Sequence, residues 1–128
     1  MKFKNNFFVF LITLLLFSNI NFAFAEQHKN CDYVGSYISD YDFSTVNITR
    51  KEKKYILNLF FYRVAIFENV KGIYKNNKIH FDFKDKKYNQ FINGSFYKKG
   101  NNYILKVNKS NWEDLNIIKE YNFKKENL

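Results

Sequence analysis

Lys78-Ile79-His80-Phe81-Asp82-Phe83-Lys84 alternates apolar and polar side chains one for one. A period of two puts Ile79, Phe81 and Phe83 on one face of an extended strand, with His80 and Asp82 on the other. The same spacing recurs in both directions from this stretch. Towards the C-terminus it gives Ile92, Gly94 and Phe96, then Tyr103, Leu105 and Val107. Towards the N-terminus come Val46 with Ile48, and Tyr33, Gly35 and Tyr37. The run from Tyr55 to Tyr62 is apolar on both faces, with Tyr55, Leu57, Leu59 and Phe61 on one and Ile56, Phe60 and Tyr62 on the other. Short aromatic and β-branched runs at this spacing are strands that each turn one face to a core.

The intervening segments carry turn chemistry: Asn76-Asn77, Asp85 to Asn89, and Lys98 to Asn102 with Gly100 inside it. The chain has no proline, so nothing interrupts a strand interior. Strands are expected near 32–38, 44–50, 54–62, 69–75, 78–84, 90–97, 103–107 and 117–124. The connections are too short for helical crossovers, so neighbouring strands should pair antiparallel in an up-and-down meander. The fold class is all-β, and eight short strands hide their edges best by closing into a barrel, with an open sandwich as the competitor. One short helical turn is expected near 110–115, where Ser110-Asn111-Trp112-Glu113 fits the S-x-x-E capping box. Trp112 and Leu115 would then fold over one mouth of the sheet, the alternative being an ordinary turn with a half-buried tryptophan.

Two segments carry a resemblance. Tyr33-Val34-Gly35-Ser36-Tyr37 opens the meander and Tyr121-Asn122-Phe123-Lys124 closes it. The pattern resembles small lipocalin-like bacterial domains, which open with glycine, one residue and an aromatic, and close with an aromatic-lysine strand. The resemblance implies a barrel and a ligand cavity, and no particular activity. Tyr37 stands where that family usually has tryptophan.

The N-terminus reads as a signal peptide. Lys2 and Lys4 precede a charge-free apolar run from Phe7 to Phe17, a polar break, and Ala23-Phe24-Ala25 as an A-x-A cleavage site. The run of about 11 residues falls well short of the roughly 20 needed to span a bilayer. Residues 1–25 are therefore expected to be removed, leaving 26–128 as one barrel or sandwich domain without a transmembrane span, exported to a periplasm or secreted. Gln27 to Asn30 are unlike the small apolar box of a lipidated cysteine, so no lipid is expected on Cys31. A lone cysteine makes no internal disulfide, which suits a bacterial periplasm better than a disulfide-dense secreted scaffold. Losing Lys2 and Lys4 lowers the formal net charge from +9 to +7, which favours acidic partners.

Chemistry finds little purchase. His80 and Asp82 share a face beside Lys84, a solvated surface more readily than an acid–base pair or metal site. There is no glycine-rich phosphate loop and no C-x-x-C, and Glu113-Asp114 suits the first turn of a helix. The expectation is a non-enzymatic protein with no catalytic residues, no metal and no cofactor. Aromatics interleaved with lysines invite a nucleic-acid reading through stacking and phosphate contacts, but the phenylalanines follow the core stripe and an exported chain rarely meets that partner, so no nucleic acid is expected.

Arg63 is the oddest charge, lying between Leu59-Phe60-Phe61-Tyr62 and Val64-Ala65-Ile66-Phe67. A guanidinium there must reach water or a carboxylate, with Glu68 the nearest candidate. Either its stem packs on its neighbours in a loop, or it meets an anionic ligand group at a barrel mouth with Tyr62, Phe60 and Trp112. A meander also gathers alternate turns at one end. Arg50, Lys51, Lys53, Lys54, Lys75, Lys78, Lys98 and Lys99 fall together there against the single acid Glu52. The expected function is an exported binding or envelope-interaction barrel, its partner an anionic envelope surface or a small apolar ligand. The alternative is a proteinaceous inhibitor or envelope-stress factor such as a lysozyme inhibitor, although two basic proteins repel during encounter.

Overall fold

The computed structural model describes residues 32–127. The expected signal peptide and its expected cleavage site, with His28 and Cys31, lie outside them. Eight strands follow one another: β1 (Gly35–Ser39), β2 (Thr45–Lys51), β3 (Lys54–Phe61), β4 (Ala65–Lys75), β5 (Lys78–Asp85), β6 (Gln90–Lys99), β7 (Asn102–Ser110) and β8 (Glu120–Lys125). A short helix, α1 (Glu113–Ile117), sits between β7 and β8. Each strand pairs antiparallel with the next, and β8 pairs back onto β1, closing an eight-stranded barrel. Closure leaves no sandwich and removes the outer edges a sandwich would keep.

Alternation decides what fills the barrel. On β5, Ile79 and Phe81 are buried while His80 and Asp82 are exposed. On β3, Tyr55, Leu57, Leu59 and Phe61 point inward, and Phe60 stays at the surface. The axis is occupied by large side chains with no exposure, among them Tyr37, Phe67, Phe96, Leu105 and Phe123. The ring of Phe96 lies 4.9 Å from that of Tyr37, 5.9 Å from that of Tyr103 and 6.5 Å from that of Phe123, centroid to centroid. Aromatic packing of this kind adds to plain area burial.

The two ends close differently. At the end carrying the β2–β3, β4–β5 and β6–β7 turns, Tyr33 lies across the mouth. Its hydroxyl donates to the Asn77 carbonyl (3.0 Å) and accepts from the Lys98 N–H (3.2 Å), and its ring packs on Tyr55, Tyr74, Phe96 and Tyr103. Asn76 and Asn77, at φ 54° and 63°, form the two-residue β4–β5 turn, a left-handed pair that asparagine tolerates best after glycine. At the opposite end Leu115 of α1 is fully buried and plugs the mouth.

Two expectations needed correction. The fourth strand begins at Ala65, four residues before the expected 69, because a bulge hides it. Glu68 and Asn69 together oppose Asn58 between the pairs Leu59↔Phe67 and Leu57↔Val70, so the apolar positions change phase within the strand. Asn69 takes φ 58° there, and its N–H donates to the Asn58 carboxamide at 2.9 Å. The capping box also does not form. Ser110 is still the last residue of β7; its hydroxyl donates to the Phe91 carbonyl (2.8 Å) and accepts from the Trp112 N–H (3.1 Å). The helix starts two residues later, with Trp112 at the N-cap and no side-chain cap.

Candidate functional site

The β4–β5 ladder is short. Four pairs join Gly72–Lys75 to Lys78–Phe81, whereas β5 and β6 pair over eight. From Ala65 to Lys71 strand β4 is paired only on its β3 side, because the bulge bends it away from β5. An open groove of about 650 Å³ lies at this parting. Phe60 and Ile66, directly opposite one another on β3 and β4, form one wall and point outward. Tyr88 from the β5–β6 turn and Trp112 before α1 form the other. These apolar side chains keep unusual exposure: 53 % for Ile66, 68 % for Tyr88 and 38 % for Trp112.

Gln90 ties the two walls together. It is 7 % exposed; its amide donates to the Ile66 carbonyl at 2.8 Å and its carbonyl accepts the Trp112 indole N–H at 3.1 Å. A side chain thus takes the place a neighbouring strand would occupy along a complete ladder. Asn111 completes the support, accepting from the Phe91 N–H (2.9 Å) and donating to the Asn89 carbonyl (3.0 Å).

Three of the four expected site residues, Phe60, Arg63 and Trp112, line this one groove; Tyr62 does not. Arg63 has φ 61°, and this left-handed turn sends Tyr62 around the rim, where its ring meets Phe43 at 5.2 Å. The Arg63 guanidinium rests over the Tyr62 ring, 5.1 Å from its centroid. Among the described residues no ion pair joins Arg63 to Glu68, the partner expected from sequence. The groove lies at the rim of the end that carries the β3–β4 and β5–β6 turns, lined by outward Phe60 and Ile66 and by buried Phe61, Ala65 and Gln90, while the axis beyond it is filled by core side chains.

The basic turns do meet at one end, as the meander requires. Arg50, Lys51, Lys53, Lys54, Lys98 and Lys99 are all exposed there, with Lys75 beside them and Glu52 the acid among them. The Arg50 guanidinium donates to the Tyr55 hydroxyl at 2.5 Å, fixing one cation against the tyrosine seal. Among the described residues no helix is long and apolar enough to cross a membrane. No family model, curated protein or solved structure matches the chain. The functional reading therefore rests on the molecule's own geometry.

One titration probes the groove end. Tyr121 packs its ring 5.2 Å from that of Phe61, and burial pushes its phenol up to about 12, helped by the Asp42 and Asp114 carboxylates. The folded value lies above the unfolded value near 10, so the native state holds this proton more tightly. The resulting stabilisation is complete below about pH 10 and is lost as pH rises through about 12. Ultraviolet titration should show a late tyrosine step that Tyr121→Phe lacks. Identical alkaline curves for the two proteins would contradict the assignment.

Proposed function

We propose that the mature chain is a non-enzymatic exported barrel of a bacterial envelope that binds through its outer surface, with its basic end seated on an anionic envelope surface. The observation that carries this reading is the gathering of three lysine-rich turns at one end of the barrel. Inside that end, Tyr33 and its aromatic neighbours leave no open lumen mouth, so the basic ring surrounds a closed face. Export rests on Lys2, Lys4, the apolar run Phe7–Phe17 and Ala23-Phe24-Ala25. Kinship with lipocalin-like exported domains belongs to the same proposal, with one difference: a filled axis favours surface contact over ligand storage.

Basic residues near an acidic lipid surface contribute about 1 kcal/mol each. Phosphatidylglycerol vesicles should therefore bind the 26–128 protein at low salt, and phosphatidylcholine vesicles should not. Lys53, Lys54, Lys98 and Lys99 reversed together to glutamate should abolish binding without unfolding the barrel. Reversing Lys84, Lys86, Lys87 and Lys109, which lie toward the other end, matches the charge change and should leave most of the binding. Added salt should weaken the complex steeply, because exposed charges are screened beyond about 8 Å at physiological ionic strength. Equal losses in the two quadruple variants would reduce the effect to net charge and remove the basic end as a site.

A further inference from the structure

The parted seam has chemistry of its own, independent of the basic end. A strand edge without a ladder presents backbone donors and acceptors at a two-residue repeat, and proteins ordinarily cover such edges. Here the stretch Ala65–Lys71 of β4 has no strand partner on its β5 side. In place of a ladder the Gln90 amide donates across the seam to the Ile66 carbonyl at 2.8 Å. The bulge at Glu68–Asn69 interrupts the repeat, so the regular part that lines the groove, Ala65–Glu68, is roughly 13 Å long at about 3.3 Å per residue, room for about four residues of an added strand. Phe60 and Ile66 on one side, with Tyr88 and Trp112 on the other, give it apolar walls. Arg63 stands at one end of the groove with its guanidinium on an aromatic face, available to a carboxylate.

The occupant follows from these three features together. Only an extended polypeptide offers amide groups at the repeat of a strand edge, with side chains alternating between the walls and solvent. A second barrel is a poor fit. Each β4 edge lies inside a concave groove flanked by Tyr88 and Trp112, so two convex bodies cannot bring both edges together. A single segment can enter. We propose that this groove receives an extended polypeptide segment that pairs with β4 as an added strand, lays apolar side chains on Phe60, Ile66 and Trp112, and sets a carboxylate against Arg63. Pairing antiparallel to β4 gives the stronger ladder. Gln90, already bonded to the Ile66 carbonyl, yields that acceptor to the incoming strand or stays as the floor beneath it.

The experiment is selection from a displayed library of random seven-residue peptides against the 26–128 protein, with Trp112→Ala as the counter-selected target. Trp112 is the only tryptophan of the chain, so its emission reports occupancy of the groove directly. Enriched peptides should alternate apolar residues, carry an acidic residue at one end and shift that emission. Methylating alternate backbone nitrogens of a selected peptide keeps its side chains but removes donors, and should weaken binding at least tenfold. Ile66→Pro should do the same from the protein side, and Arg63→Ala should erase the preference for the acidic residue. The amides of Ile66 and Glu68 should exchange more slowly in the complex. Failure to enrich any sequence over the counter-target, or methylated peptides binding as well as their parents, overturns the proposal even if Ile66→Pro does not fold. Vesicle binding by the basic end should be unchanged in Arg63→Ala, which separates the two sites.

Discussion

Phe96→Ala is expected to cost about 3–5 kcal/mol of folding stability, and His80→Ala to lie within about 0.5 kcal/mol of neutral. The two residues occupy neighbouring strands, β6 and β5, but opposite faces of the sheet. Phe96 has no exposure and touches four aromatic rings, those of Tyr33, Tyr37, Tyr103 and Phe123. Deleting its ring removes buried area and leaves a cavity that eight hydrogen-bonded strands cannot collapse to fill. Phe81→Ala should behave in the same way, because Phe81 is also inside. His80 is exposed, and its ring nitrogen lies 3.1 Å from the Lys75 carbonyl at the surface. For a domain of this size the phenylalanine loss is a large fraction of total stability, about 5–15 kcal/mol. Denaturant melts giving the opposite order would mean a one-residue register error, which would turn every side chain to the wrong face.

Gly94→Ala should be nearly as damaging, at about 3 kcal/mol, for a different reason. Strand β7 carries an extra residue, Asn108, between the pairs Asn93↔Lys109 and Gly94↔Val107, and Gly94 lies close against the β7 backbone. A Cβ added there would collide with the Lys106 carbonyl oxygen and stand 3.0 Å from the Phe81 ring. The carbonyl belongs to a paired strand and cannot move aside without breaking the ladder. Gly100→Ala provides the contrast. Nothing lies within 4 Å of its added Cβ, but the residue holds φ 64° in the β6–β7 turn. Its cost should be only the left-handed penalty, about 1 kcal/mol. Thermal melts in which Gly100→Ala proves the worse of the two would refute the close-approach argument.

How far residues alone reach is visible strand by strand. β5, β6 and β7 could be placed because one face of each is core and the other is water, which writes a period of two directly into Ile79–Phe83 and Tyr103–Val107. The first half of β4 could not, because the extra residue at Glu68–Asn69 shifts the phase and makes the strand look like loop. Ser110 matched a capping pattern by composition, but its hydroxyl was already committed to Phe91 across the sheet, a partner nineteen positions away. The site shows the same division. Phe60, Arg63 and Trp112 stood out as an outward aromatic, a misplaced cation and a lone indole. Tyr88 and Gln90 carried no such signal, since their importance comes from where the seam parts. Adjacency in sequence puts Tyr62 with Arg63 at a barrel mouth, and says nothing of the left-handed turn at Arg63 that carries Tyr62 out of the groove.

The closing seam has a consequence for how the molecule is made. Only three pairs, Tyr37↔Lys125, Ile38↔Lys124 and Ser39↔Phe123, join the first strand to the last. All other neighbours are local hairpins that can form as soon as their own turn exists, whereas this contact waits for nearly the whole sequence. The expected order of assembly is a curled eight-strand ribbon first, then a late and slow docking of its C-terminal strand onto its N-terminal one. Until that event the ribbon has two bare margins, each a template for a neighbouring molecule. Lys124 and Lys125 are exposed on the strand that docks last, so charge accompanies the hazardous margin while it is open. The lifetime of that open ribbon, more than the strength of the finished barrel, is expected to set the concentration at which newly synthesised chains begin to associate.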